Sequence, residues 1–238
     1  MLSYTASKQG LPMAYDTDNK KLLFINSDSK EKNKIETKKQ FEPFYNGKDQ
    51  LIYVCGRRGS GKSYFCNIYI KNYVEATDGR VFIVSRFNND PSIVLPDRGM
   101  YLKIEDLKEV TMDDLANSLI LFDDIHSAQL TAQETKFLHS YILDVMENSR
   151  HYNLSAIITS HMITNYSKTR AILNEANAIV VYPKFSNIYQ IKRALKVYYG
   201  MSDVEINKVL NIENSRWVYI NVVNPKYILT EKEAYFYD

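Results

Sequence analysis

Cysteine is scarce in this chain: Cys55 and Cys66 are the only two in 238 residues. Two thiols build no disulfide scaffold, and their spacing matches no metal-ligand pattern, so free thiols in a reducing compartment are expected. Long apolar runs are missing as well. None reaches the roughly 18 residues of a membrane-spanning helix, and the N-terminus MLSYTASKQG lacks the basic-then-apolar order of a signal peptide. No integral membrane segment is therefore expected; a soluble intracellular protein is. Nor is there an excess of one charge, because 30 basic residues face 28 acidic ones and leave a formal net charge of +2. Affinity for a polyanion must then come from local patches, or from a ring of subunits that repeats a modest patch. Internal repeats and low-complexity tracts are absent from the sequence.

What is present is a 45% hydrophobic composition on a length that suits one α/β domain with additions. Residues 1–47 read as a polar N-terminal extension whose one apolar run, Leu22–Ile25, could form an edge strand. Residues 27–40 carry five lysines and three acids and read as an exposed helix or loop, either a solvated segment or a basic arm for DNA. From residue 51 the pattern changes. Apolar runs at 51–55, 81–85, 118–122, 154–160 and 178–182 alternate with helical stretches at 62–74, 131–148 and 166–175. Short apolar runs between helices indicate a parallel sheet covered on both faces, hence a three-layer α/β core over residues 48–185. Residues 186–238 then predict a small C-terminal extension. Its helices run over 187–199 and 203–211, with Ser202 and Glu205 as a capping box, and its hairpin turns at Asn224-Pro225.

Gly56-Arg57-Arg58-Gly59-Ser60-Gly61-Lys62-Ser63 fits G-x-x-x-x-G-K-[ST] at every fixed position. It follows a predicted strand and opens a predicted helix, the context in which the pattern forms a phosphate cradle. Glycines let the backbone wrap around phosphate oxygens, with the helix N-terminus beneath them. The loop Gly56–Ser63 and the adjoining Tyr64 are thus the candidate ATP-binding residues. Lys62 is expected to reach the β- and γ-phosphates, and Ser63 to coordinate Mg²⁺. A P-loop needs an acidic partner at a neighbouring strand tip, and Leu119-Ile120-Leu121-Phe122-Asp123-Asp124 supplies two. Asp123 would hold the metal through water, and Asp124 would polarise an attacking water; the alternative for Asp124 is a helix cap. A paired acid favours hydrolysis over transfer to a small molecule. At the end of the 154–160 run, Thr159, Ser160 and His161 are all candidate γ-phosphate sensors. Arg150 could reach the nucleotide of a neighbouring subunit or pair with Glu147 or Asp144 on its own helix, and Arg86 is a rival finger.

The P-loop, the LILFDD strand and the run Arg150-His151-Tyr152-Asn153-Leu154-Ser155 leading into IITSH resemble the DNA-packaging ATPases of large double-stranded DNA viruses. These are P-loop motors of the FtsK–HerA superfamily, and the likeness spans roughly residues 48–182. It implies an ATPase that translocates double-stranded DNA as a homomeric ring, pentameric or hexameric, at a viral capsid or portal vertex. In that comparison Arg150 takes the place of the trans-acting arginine finger. His161 stands where the family usually carries glutamine, a departure at the sensor position. The implied location is the host cytoplasm, a viral factory or the virion. Lys192, Arg193 and Lys196, on one side of a predicted helix, are either a DNA patch or a solvated face. Two other readings of the motifs remain: a P-loop kinase of a small molecule, and a nucleotide-dependent switch.

Overall fold

A computed structural model of the chain describes residues 1–26, 33–47, 49–85, 91–124 and 130–237. The N-terminal stretch is more ordered than its polarity predicts. Strands β1 (Leu2–Ser3), β2 (Leu11–Asp16), β3 (Lys21–Ile25) and β5 (Phe41–Pro43) form an antiparallel sheet in the order β1-β3-β2-β5, while β4 (Lys34–Glu36) joins the main sheet. The Leu22–Ile25 run therefore lies inside a sheet and not at its edge, and residues 34–36 are strand where a helix or loop was expected. These strands are short and half-exposed, so only every second residue needs to be apolar. Asp16, fully buried, accepts hydrogen bonds from the Tyr4 and Thr37 hydroxyls, the Asn19 amide group and the backbone of Asp18. That saturation lets a carboxylate sit inside so small a sheet.

The main sheet contains the predicted strands. β6 (Leu51–Cys55), β7 (Arg80–Val84), β8 (Gly99–Leu102), β9 (Ser118–Phe122), β10 (Ser155–Ser160) and β11 (Ala178–Val181) run parallel, in the spatial order β11-β6-β10-β9-β7-β8. Helices α1 (Lys62–Ala76), α2 (Ala132–Tyr152), α3 (Tyr166–Glu175), α4 (Ile188–Val197) and α5 (Asp203–Leu210) cover its faces. Alternate residues of each strand enter different cores. Tyr53, Phe82, Ile120 and Ile158 pack with α2 to α5. Ile52, Ile83, Leu121 and Ile157 pack with α1 and with Leu2, Met13, Leu23 and Phe41 of the N-terminal sheet. Strands apolar on both faces read as unbroken apolar runs, which is why this part of the fold was visible beforehand. The result is the expected three-layer α/β architecture with a mainly parallel central sheet.

The C-terminal strands extend that sheet. β12 (Val218–Asn221) pairs antiparallel with β11, and β13 (Tyr227–Thr230) returns through a turn holding the cis Asn224-Pro225 bond. β14 (Glu233–Phe236) and then β4 complete the edge. Ser202 and Glu205 form the predicted capping box on α5, and Thr131 with Glu134 form a second one on α2.

Candidate active site

Parallel strands with helical crossovers gather their C-terminal ends at one rim of the sheet, where such folds place ligands. Gly56–Ser63 occupies that rim between β6 and α1. Gly56 has to be glycine because a Cβ there would come within 2.7 Å of both the Ser60 hydroxyl and the Tyr182 ring. Gly61, at the helix N-cap, has φ +110°, a conformation that side chains rarely adopt. With no side chain to cap the helix, the first-turn amides are left to an anion.

β10 lies between the P-loop strand β6 and the acidic strand β9. Its end therefore stands between Lys62 and the two aspartates. The fully buried Thr159 donates its hydroxyl to Asp123 Oδ1 at 2.7 Å and accepts the Asp124 amide at 2.7 Å. Thr159 thus holds both acids in place. Asp124 has φ +49°, in the left-handed region. Its Oδ2 lies 3.2 Å from His161 Nε2, and its buried Oδ1 has no hydrogen-bond partner among the described residues. His161 Nδ1 lies 3.1 Å from Lys62 Nζ. One tautomer serves both contacts: Nε2–H donates to Asp124, and Nδ1 accepts from the ammonium. Lys62 Nζ also donates to the Gly56 carbonyl at 3.0 Å. Burial lowers the Lys62 pKa below the ordinary lysine value, opposed by the charges of Asp124 and Asp123.

Lys62, Asp123, Asp124, Thr159 and His161 thus converge. Ser160 does not: its hydroxyl accepts the Met162 amide at 3.0 Å in the turn after β10. Ser63 Oγ accepts from Ser92 Oγ at 3.2 Å. Arg57 and Arg58 are exposed on the loop. Tyr64 is half-exposed, with its hydroxyl 3.5 Å from Gln40 Nε2 of the N-terminal segment. Arg150 lies in the last turn of α2, just before β10 begins, at the opposite rim of the sheet. Six strand residues at about 3.3 Å each put it about 20 Å from the site in its own subunit. It makes no ion pair with Glu147 or Asp144, and Asp144 bonds instead to Asn148. Arg86 lies outside the described residues. Lys192 and Lys196 both pair with Asp203, at 3.7 and 2.8 Å, joining α4 to α5. Cys55 and Cys66 are free and buried, and burial pushes both thiols up, away from nucleophilic thiolates.

The donor set suits a nucleoside triphosphate with Mg²⁺. Amides and an ammonium match phosphate oxygens, and the oxygen donors Ser63 and Asp123 match a hard cation that keeps several waters. No group of three His, Cys, Asp or Glu among the described residues could by itself hold a metal ion; beside Ser63 and Asp123, phosphate oxygens and water would share the coordination. One residue of this rim carried no sequence signal. Arg216, 156 positions from Ser60, donates Nε to the Ser60 carbonyl and Nη2 to the Gly59 carbonyl, both at 2.7 Å.

No family model matches the chain. The uncharacterized protein V3 of Sputnik virophage is 34% identical over 250 residues, covering 98% of this chain and 99% of its own. Among solved structures, the genome packaging NTPase B204 of Sulfolobus turreted icosahedral virus 2, in complex with AMPPCP, superposes with a TM-score of 0.55. That match is 16% identical and covers 77% of this chain and 97% of B204. The pCW3 conjugation coupling protein TcpA, with ATPγS, also reaches a TM-score of 0.55, at 10% identity over 96% of this chain and 77% of its own. The likeness read from the motifs is borne out at the level of the fold, and the 34% identical relative is a virophage protein.

Proposed function

This chain belongs to the family of the Sputnik virophage protein V3, and we propose that it is an ATPase that drives viral double-stranded DNA into a capsid as a homomeric ring. The observation that carries this reading is the contact chain Lys62–His161–Asp124, with Thr159 bridging both acids. A second carboxylate turned into the phosphate site is what a hydrolase needs to orient water. A kinase, whose nucleophile arrives on its substrate, has less use for it.

In this mechanism the P-loop amides and Lys62 bind the β- and γ-phosphates, and Lys62 offsets negative charge as the terminal bond breaks. Ser63 and Asp123 would hold Mg²⁺, which when bound would supply positive charge to offset the charge of the phosphates. Asp124 accepts a hydrogen bond from the attacking water, aligning it in line with the leaving oxygen. His161, in contact with both Lys62 and Asp124, serves as the sensor of the γ-phosphate. Arg150, exposed and remote from its own P-loop, stabilises transition-state charge in the site of the adjacent subunit. Lysines, arginines and main-chain amides facing the channel grip DNA through its phosphates, without reading sequence. The fold of a genome packaging NTPase and the virophage relative support the viral setting, with a capsid or portal vertex as the docking partner.

ATP turnover by the purified protein, with and without duplex DNA, tests the reading. DNA is expected to raise the rate, and Lys62→Ala, Asp124→Asn and Arg150→Ala each to lower it at least about 100-fold. Mixing the Lys62→Ala and Arg150→Ala proteins should restore part of the activity, because a Lys62→Ala subunit lends its Arg150 to the intact P-loop of an Arg150→Ala neighbour. A rate indifferent to DNA, with Arg150→Ala as active as the wild type, would remove the motor and leave an ATPase of another purpose.

A further inference from the structure

We infer that Arg216 is a positioning residue for nucleotide binding, a clamp on the outer face of the P-loop that makes the C-terminal strands part of the site. The inference rests on the reading of Gly56–Ser63 as a phosphate cradle. Several independent contacts hold Arg216 in place. Its guanidinium bonds the Gly59 and Ser60 carbonyls at 2.7 Å each. It lies over the Phe185 ring, 4.9 Å from the centroid. Its own amide is anchored on Glu231 Oε2 at 2.8 Å, at the turn between β13 and β14. A Cβ on Gly61 would come within 3.1 Å of Arg216 Nε, so the third glycine of the loop also makes room for the clamp.

The chemistry follows from which peptides are held. Each carbonyl belongs to the same peptide as the next residue's amide. A cation on the Gly59 and Ser60 carbonyls therefore polarises the Ser60 and Gly61 N–H groups. The Ser60 amide closes the loop on the Arg57 carbonyl at 3.1 Å, and a stronger donor there makes that turn stiffer. Gly61 precedes Lys62, so its more polarised amide raises the positive potential beside the lysine. A loop already in its binding shape loses less freedom when phosphate arrives. Arg216 touches no phosphate in this arrangement; it acts through the backbone. Because Arg216 precedes β12 and Glu231 follows β13, the clamp also ties loop geometry to the strands that extend the sheet beyond β11.

Two measurements on the full chain test it. In the nucleotide-free protein, amide hydrogen exchange over residues 57–61 should be at least about 5-fold faster in Arg216→Ala than in the wild type, with core strands unchanged. In titrations with a fluorescent ATP analogue and Mg²⁺, the Kd should rise about 10-fold in Arg216→Ala, and turnover at saturating ATP should stay within about 2-fold. Arg216→Lys, which keeps the charge but not the two-pronged geometry, should fall between the two. Equal loop exchange in wild type and variant overturns the clamp whatever the protein binds. Faster exchange with unchanged Kd overturns its role in binding. A wild-type protein that binds no nucleotide removes the phosphate-cradle reading itself, and the exchange result then reports separately on the contact.

Discussion

Lys62 sits in an environment that pulls its charge in two directions, and the balance makes a measurable prediction. Burial disfavours the ammonium, Asp124 and Asp123 favour it, and burial wins, so its pKa lies below the ordinary value of 10.5. Only the protonated lysine attracts phosphate. Since the pH dependence of binding follows the pKa of the free protein, affinity for ATP should begin to fall on the alkaline side before pH 10.5. The sign for folding is opposite: between the lowered and ordinary pKa values the unfolded chain binds more protons, so this group's contribution to stability rises with pH there. Titrating ATP affinity at a series of alkaline pH values checks the first statement, and an onset at or above 10.5 would contradict it. Asp124 shows how one residue was legible only in part. Its position after an apolar strand marked it as an acid of the site, but the left-handed turn that brings its carboxylate to His161 had no sequence signature.

At the scale of elements, β10 decides the geometry. Every residue of Ser155–Ser160 is buried, because helices cover one face, α1 and the N-terminal sheet cover the other, and strands flank both edges. Ile157 is fully buried in the centre of that strand. Ile157→Ala should lower unfolding stability by about 2–5 kcal/mol, as large-to-small changes in packed cores do. Chemical denaturation of wild type and variant measures it, and a loss under about 1 kcal/mol would mean that the neighbouring side chains refill the space. Helix α2 carries a different role. Its 21 residues extend about 32 Å, from the aspartate rim to the opposite rim, and deliver Arg150 away from its own site. The periodicity predicted the helix but stopped it four residues short of its end at Tyr152. Histidine and tyrosine in the last turn weakened the pattern, while Asn153 at φ +49° is the actual stop.

For the molecule as a whole, the N-terminal sheet is joined to the core under α1. Leu2, Met13, Leu23 and Phe41 share one cluster with Phe65, Tyr69 and Tyr73 of α1, and Asn72 Nδ2 donates to the Pro43 carbonyl at 2.9 Å. Deleting residues 1–43 would expose that apolar face to water. The truncated chain should melt at least about 10 °C lower or fail to stay monodisperse, as judged by thermal unfolding and size-exclusion chromatography. A truncated chain with the melting temperature of the full chain would show instead that the sheet adds nothing to the stability of the α/β core. No described helix is long and apolar enough to cross a membrane. Leu2, Met13, Leu23 and Phe41 are buried within the chain itself.

Local chemistry made part of this protein readable from residues alone. The G-x-x-x-x-G-K-[ST] motif occupies eight consecutive positions, a capping box four, and a doubly covered strand one apolar run, so each is written within a short window. Tertiary structure decided the remainder. Strand order placed β10 between β6 and β9, and only that order sets Thr159 and His161 between Lys62 and the aspartates. The half-exposed N-terminal strands alternate too weakly to stand out from a polar segment, and they gain stability only once packed on α1. Arg216 reaches the P-loop across more than 150 residues, because β12 pairs with β11 and so brings the chain back to the same rim. Periodicity and spacing carry no information about such a contact; it exists only where the folded sheet joins distant segments.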